Sequence, residues 1–318
     1  MALKSASSSE MVVSSLSGRR RNTLQRRTTA VPYLFLLPFG LFFIVFFIVP
    51  IVYALYQSLF RSQRSGLGLG APTIMFNGLG NYKDVLGDQT FFIGLGRVFL
   101  FGIVQVPVML GVALLVALLL DSQSARWKGF FRTAFFIPYA IPGVVAALIW
   151  GYLYTPQLSP FVQLVKSLGL GGPDFLGAGT ILWSMANIST WTWTGYNMLI
   201  IIAALQAIPT EIYEAARLDG CTGFKIARYI KIPMVAPALV LTCIFSIIGT
   251  LQLFTEPLVL SSISNNVTTG YTPNLYAYYT AFSNNNYYYT SALSVMLAVV
   301  SFILSFGFLK FTQRYSGV

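Results

Sequence analysis

The sequence predicts an all-α integral membrane protein with about six membrane-spanning helices. Three observations predict it. Of 318 residues, 56% are hydrophobic and only 9% charged. Six apolar stretches are long enough to cross a bilayer. Lys and Arg gather on one side of those stretches. A soluble domain carries about 25% charged residues, so this chain lacks the polar surface to face water all round, and lipid is its natural solvent.

A hydrocarbon core about 30 Å thick takes about 20 mostly apolar residues in a helix. The stretches Val31–Phe60, Phe91–Leu120, Phe130–Tyr154, Ile181–Ile208, Ala238–Leu260 and Tyr287–Phe311 qualify. A barrel would show alternating strands of about ten residues, and these runs are too long and too uniformly apolar for that. Six spans put both termini and the second and fourth loops on one side. That side carries fifteen Lys and Arg, against four on the other (Arg61, Arg64, Lys83, Lys166), with Arg97 near the start of span two. The positive-inside rule makes the basic side cytoplasmic. Residues 1–30 are polar, Ser/Thr-rich and basic, without the apolar core of a cleaved signal, and read as a flexible cytoplasmic tail. Residues 31–318 form the transmembrane domain.

The net charge of +11 sits in short blocks between apolar runs, with no basic face interleaved with aromatics, which argues against nucleic acid. There is no histidine, so the commonest general base and metal ligand are missing. Cys221 and Cys243 have no metal or redox spacing. Without clustered carboxylates or a nucleophile motif, the chain does not read as an enzyme. Pro38, Pro50, Pro107, Pro138 and Pro142 predict local bends or ends within the spans. Gly143, Ala147 and Gly151, at spacing four, predict a face on which a second helix packs closely.

Loop four, residues 209–237, has its own helical pattern. Thr210 is placed to cap a short helix with Glu211 in its first turn. Asp219-Gly220 ends it, since Gly takes a positive φ readily, and Thr222 is placed to cap a second helix. On that helix Phe224, Ala227 and Ile230 form an apolar edge and Lys225, Arg228 and Lys231 a charged one. Pro233 marks the transition to the next span. The expected shape is a rigid helix–Gly–helix knob at the membrane surface.

The signature Glu214-Ala215-Ala216, three residues, Gly220, nine residues, Ile230, one residue, Ile232-Pro233 occupies 20 residues at fixed spacing. It resembles the EAA loop of permease subunits in binding-protein-dependent ABC importers, with Ile232 where that family usually has Leu. Tyr33 to Phe60, Gly78-Leu79-Gly80-Asn81-Tyr82, Phe130-Phe131-Arg132 through Tyr154 and Ile248-Gly249-Thr250-Leu251-Gln252-Leu253-Phe254 are similar to carbohydrate permeases, of the first-subunit type in maltose, glycerol-3-phosphate, lactose and trehalose importers. The large periplasmic insertion of the maltose protein is absent. The resemblance implies a type I ABC importer transmembrane subunit forming half of a sugar pathway. It implies as partners a second permease subunit, two copies of a cytoplasmic ATPase and an extracytoplasmic sugar-binding protein. Glu214, Ala215, Ala216, Asp219, Gly220, Phe224, Ile230 and Pro233 are the implied ATPase-coupling residues. No G-x-x-x-x-G-K-[ST] loop occurs in the chain, so ATP and Mg are expected in the partner ATPase and no cofactor here.

Polar side chains inside spans usually face a bundle interior or a watery cavity. Asn187, Trp191, Trp193, Tyr196 and Asn197 in span four, and Gln252, Phe254 and Glu256 in span five, are the candidate substrate-pathway residues. Aromatic rings cover the C–H faces of sugars, and amides and carboxylates bond their hydroxyls. Trp191, Trp193 and Tyr196 also fit an aromatic belt at the membrane interface. The Tyr- and Asn-rich loop Tyr271–Tyr289 fits either a docking surface for an external binding protein or an interfacial loop. Two other readings stand beside the sugar importer: an ABC importer of amino acids, peptides or phosphate esters, and a secondary transporter, which would call for ion-coupling carboxylates or internal repeats.

Overall fold

A computed structural model describes residues 33–63, 73–122, 125–169 and 171–316; the expected tail lies outside them. The chain divides into a unit ending at Gln57 and a unit from Ser58 onward. The first is essentially one helix, α1 (Tyr33–Ser58), apolar on all faces as a span is. It contains a π-helical turn, Ile44–Ile48, in which the Val49 amide bonds the Ile44 carbonyl. Pro50 explains the turn. A helical proline cannot donate to the carbonyl four residues back and its ring pushes against it; that carbonyl, on Phe46, lies inside the widened turn.

The second unit opens with a small hairpin that the apolar pattern did not announce. Strand β1 (Phe60–Gln63) pairs antiparallel with β2 (Thr73–Phe76), Phe60 opposite Phe76. The short helix α2 (Gly80–Leu86) holds it: Asn81 Nδ2 donates to the Ser58 and Phe60 carbonyls at 2.8 and 2.6 Å. Asp88 then caps α3 (Gln89–Asp121), accepting from the Thr90 amide at 2.8 Å. The remaining helices are α4 (Lys128–Ala140), α5 (Gly143–Tyr154), α6 (Pro160–Ser167), α7 (Ile181–Gln206), α8 (Thr210–Leu218), α9 (Gly223–Ile226), α10 (Ile232–Leu251), α11 (Thr255–Leu260), α12 (Pro273–Phe282) and α13 (Tyr287–Ser316). Helices α6 and α12 begin alike, with a Ser or Thr cap followed by proline at the first helical position.

Among the described residues, four helices are long and apolar enough to span alone: α1, α3, the run Gly223–Leu260 and Tyr287–Thr312. Two bent pairs reach the same length and hydropathy only when each is taken together, α4 with α5 and α7 with α8. The expected third span is broken, with α4 and α5 meeting at 96°. The cause is local. A residue before proline is pushed into extended conformation; Ile141, before Pro142, has φ −80° and ψ 129°. Helices α7 and α8 qualify as a pair, with a 72° bend between them.

Helix α3 packs along α7, α4 crosses α7, and α10 lies against α3, α7 and α13. The Gly143–Gly151 face packs on α11 and the turn after it. A Cβ on Gly143 would lie 3.6 Å from Thr255, and one on Gly151 would lie 2.6 Å from Ile263 and 3.2 Å from Leu260. The closest approach is at Gly195. A Cβ there would overlap the Phe135 carbonyl oxygen and come within 2.9 Å of Phe136 Cα, so α4 and α7 touch backbone to backbone. The two largest of the four buried clusters among the described residues hold α3, α7 and α10 together. One joins Phe101, Ile181, Met185, Ile188, Leu253 and Leu260. The other joins Ala113, Ala117, Met198, Ile201, Leu205 and Val235. Along α3 and along α7 the two clusters are separated by the middle of the helix.

Candidate functional site

That middle is a cavity of about 690 Å³. Helix α3 contributes Gln105 and Met109, the α4–α5 elbow contributes Tyr139 to Gly143, and α7 contributes Ser189, Thr192, Trp193, Tyr196 and Asn197. Helix α10, its break and the start of α11 contribute Phe245, Gly249, Gln252, Phe254 and Glu256. Both helix interruptions, at Ile141–Pro142 and at Gln252–Phe254, therefore lie in the wall. Helix breaks at membrane depth are tolerated where they line a cavity rather than lipid.

One wall is aromatic. Tyr139 stacks on Tyr196 at 4.8 Å and meets Trp193 edge-on at 5.3 Å. The rest is amide, hydroxyl and carboxylate. Ser189 Oγ donates to Glu256 Oε1 at 2.8 Å. Asn197 Nδ2 donates to the Trp193 carbonyl at 3.0 Å, and Gln105 Nε2 to Met109 sulfur at 3.4 Å. Of the eight pathway candidates, Trp193, Tyr196, Asn197, Gln252, Phe254 and Glu256 line the cavity. The other two turn elsewhere: Asn187 donates to Tyr154 Oη at 2.8 Å, and Trp191 packs edge-on against Trp150 at 5.8 Å. Sequence reasoning missed Tyr139 and Gln105. Tyr139 sits just before the elbow, and its proximity to Ile141-Pro142 was the available signal; for Gln105, the signal was an amide in the middle of an apolar run.

On the basic side, loop four folds into two helices. Thr210 is the first residue of α8 rather than its cap, a place taken by Pro209, whose ψ of 137° turns the chain out of α7. Helix α8 ends in a Schellman motif: the Cys221 amide bonds the Ala216 carbonyl at 2.9 Å and the Gly220 amide bonds the Arg217 carbonyl at 3.0 Å, with Gly220 at φ +74°. Thr222 caps α9, accepting from the Lys225 amide at 3.4 Å. The second arm is not a separate short helix. It runs through a π turn, Ala227–Lys231, directly into α10, the Ile232 amide bonding the Ala227 carbonyl. As at Pro50, the carbonyl four residues before Pro233, on Tyr229, lies inside the turn. The extra residue also splits the expected charged edge: Lys225 and Arg228 stay exposed while Lys231 turns inward.

Ala216 and Ile226 are buried at the root of the knob, and Ile212 and Tyr213 pack on the cluster of Leu205 and Ile208. Glu214, Ala215, Asp219, Gly220 and Pro233 are exposed and Ile230 is half-buried. At the tip, Leu218 is 90% and Phe224 74% exposed. Two large apolar side chains thus flank the glycine turn in the open. Leu218 was not singled out from the sequence, because a leucine at a helix end looks ordinary there.

On the opposite side, Asp88 joins three elements. Besides capping α3, it accepts from the Tyr276 and Tyr289 hydroxyls, both at 2.7 Å. Burial pushes its carboxyl up, but these hydroxyls and the Thr90 and Phe91 amides outweigh it and hold the group below its ordinary 3.8. Burial, and then the Asp88 bond and charge, push Tyr276 up to about 12.

Apolar spans, a cavity at the middle of α3 and α7 and an angled hairpin together define a transmembrane transport subunit. The sequence matches the family described as binding-protein-dependent transport system inner membrane component over residues 109–317, and this chain belongs to it. The probable ABC transporter permease protein YurN of Bacillus subtilis is 30% identical over 88% of this chain and 95% of that protein. The arabinooligosaccharides permease AraP of the same organism is 30% identical over 91% and 90%. The lactose permease LacF of Rhizobium radiobacter is 34% identical over 74% and 78%. In fold the chain is similar to a subunit of a bacterial ABC transporter that imports alginate, with a TM-score of 0.77 and 17% identity over 93% of this chain and 99% of that one.

Proposed function

We propose that the chain forms half of the pathway of an ATP-driven sugar importer, paired with a second permease subunit, driven by two copies of a cytoplasmic ATPase and fed by an external sugar-binding protein. The observation that carries the proposal is the hairpin. Its Leu218 and Phe224 tip is exposed, and its second arm is continuous with α10, which walls the cavity. A motor that grips the tip therefore acts on the cavity wall with no loop in between. Glu214, Ala215, Asp219, Gly220, Phe224, Ile230 and Pro233 belong to that coupling surface, Ala216 is buried beneath it, and ATP and Mg bind in the ATPase.

The cavity supports a sugar as cargo. Tyr139, Trp193 and Tyr196 offer ring faces, and Asn197, Gln252 and Glu256 offer partners for hydroxyls. Relatives named for arabinooligosaccharides and lactose point the same way. Co-purification with the ATPase, followed by ATPase assays over a sugar panel, tests both halves. Glu214→Lys and Gly220→Pro are expected to insert normally, bind the ATPase less and import less. Wild-type uptake in either variant rules out the coupling role.

A further inference from the structure

Among the described residues two ion pairs occur. Arg61 and Asp84, 3.6 Å apart, are 60% and 49% exposed and need no special account. Lys231 and Asp121 differ: the ammonium lies 2.5 Å from the carboxylate, and the side chains are only 14% and 18% exposed. Asp121 is the last residue of α3. A carboxylate at a helix C-terminus faces the negative end of the dipole and is disfavoured there, so Asp121 does not serve α3 by itself. Its position makes sense through Lys231, which lies in another segment.

Lys231 in turn touches three elements. It closes the π turn that joins the hairpin to α10. It pairs with the end of α3. Its Nζ also lies 5.3 Å from the Tyr213 ring centroid on the first arm of the hairpin, a cation–π distance. Tyr213 precedes Glu214 and packs on the Leu205 cluster. One ammonium thus senses both arms of the hairpin and the foot of α3.

Helix α3 is pinned at its other end too, where Asp88 binds Tyr276 and Tyr289. Between the pins, Gln105 and Met109 wall the cavity. Met109 is twelve residues from Asp121, about 18 Å along the helix. A displacement of the hairpin that drags Lys231 therefore pulls on a rod that passes the cargo.

We propose that Asp121 and Lys231 are positioning residues, a latch that carries hairpin displacement into α3 and so adds the Gln105–Met109 wall to the moving parts. The proposal rests on the ATP-driven reading above and goes beyond it in assigning a second path of transmission, beside the continuous α10. The test uses the complete transporter in liposomes and reads sugar imported per ATP hydrolysed. Lys231→Met, which keeps the stem and loses the charge, and Asp121→Asn are expected to assemble with the ATPase and to lower that ratio by about fivefold or more, the low end of couplings between sites. The exchange Asp121→Lys with Lys231→Asp is expected to restore most of it, since a cation suits the end of α3. An unchanged ratio in the single variants overturns the latch. So does an exchange no better than the singles. Failure of the singles to assemble overturns it as well, because the pair is then a folding contact. If the wild-type chain binds no ATPase at all, the importer reading itself fails and takes the latch with it. An unchanged ratio in an assembled, importing complex leaves that reading standing.

Discussion

Gly195→Ala is the sharpest test of how the bundle is built. The new methyl overlaps the Phe135 carbonyl oxygen and lies 2.6 Å from the Phe135 carbonyl carbon and 2.9 Å from Phe136 Cα, where ordinary contact begins near 3.4 Å. These are main-chain atoms, so no rotamer relieves the overlap and α4 must back away from α7 by about 1 Å. Overpacking of this kind costs about 1–3 kcal/mol. The Tyr139–Tyr196 stack at 4.8 Å spans the same two helices, and opening it forfeits up to about 1 kcal/mol more. We expect a loss of about 1–4 kcal/mol, against which the better helix propensity of Ala returns about 1 kcal/mol, as it also does at Gly111. The assay is the thermal midpoint of the detergent-extracted subunit, with uptake measured in parallel. Gly111→Ala is the control: nothing lies within 4 Å of its added methyl, so it is expected to be neutral or slightly stabilising. A Gly195→Ala protein with the same midpoint and uptake as Gly111→Ala refutes the backbone contact.

Asp88→Asn is expected to cost about 1–2 kcal/mol, by weakening the cap and two hydroxyl bonds. Because the folded carboxyl lies below its ordinary 3.8, its contribution is complete above that value and disappears as pH falls through the lower folded one. The midpoints of the wild type and Asp88→Asn should therefore converge on acidification below about pH 4, and a gap that persists at low pH contradicts the assignment. Gly220→Ala forces a Cβ at φ +74° and is expected to destabilise the hairpin by about 1–2 kcal/mol, read as faster proteolysis in loop four of membrane vesicles; unchanged cleavage counts against it. Leu218→Asp is expected to weaken ATPase association at least about tenfold with the fold intact, as loss of a buried anchor does, measured by co-purification; full association would show that the tip is not gripped. Gln252→Ala and Asn197→Ala are expected to lower the apparent affinity of uptake with assembly unchanged, and unaltered kinetics would remove them from the pathway.

What was legible in the sequence is what depends on neighbours along the chain. The apolar runs gave the spans, because helix formation in lipid is local satisfaction of the backbone. The break at Asp219-Gly220 and the Thr222 cap were readable, because a positive φ and a side-chain cap are set within a few residues. The polar residues of α7 and of the α10–α11 break were visible as exceptions in apolar runs. What stayed hidden is relational. Pro142 marked a bend, but a 96° elbow depends on what α4 rests against. Nothing near Gly195 in sequence names Phe135 as its neighbour. Lys231 was grouped with Lys225 and Arg228 by counting threes, and the π turn defeats that count. The β1–β2 hairpin has strands of four residues each, too short for an alternating pattern to stand out beside an apolar helix.

The elbow at Pro142 also bears on how the polypeptide enters its membrane. Helices α4 and α5 have 13 and 12 residues, so each reaches only about 20 Å, short of the roughly 30 Å hydrocarbon slab. Neither half is a signal that the insertion machinery would accept by itself, whereas the unbroken stretch is. The two halves therefore enter lipid together, already bent where Ile141 precedes Pro142, and α7 supplies the surface on which α4 rests. A chain truncated before α7 would keep the bend that Pro142 sets but lose the Gly195 backbone against which Phe135 and Phe136 lie.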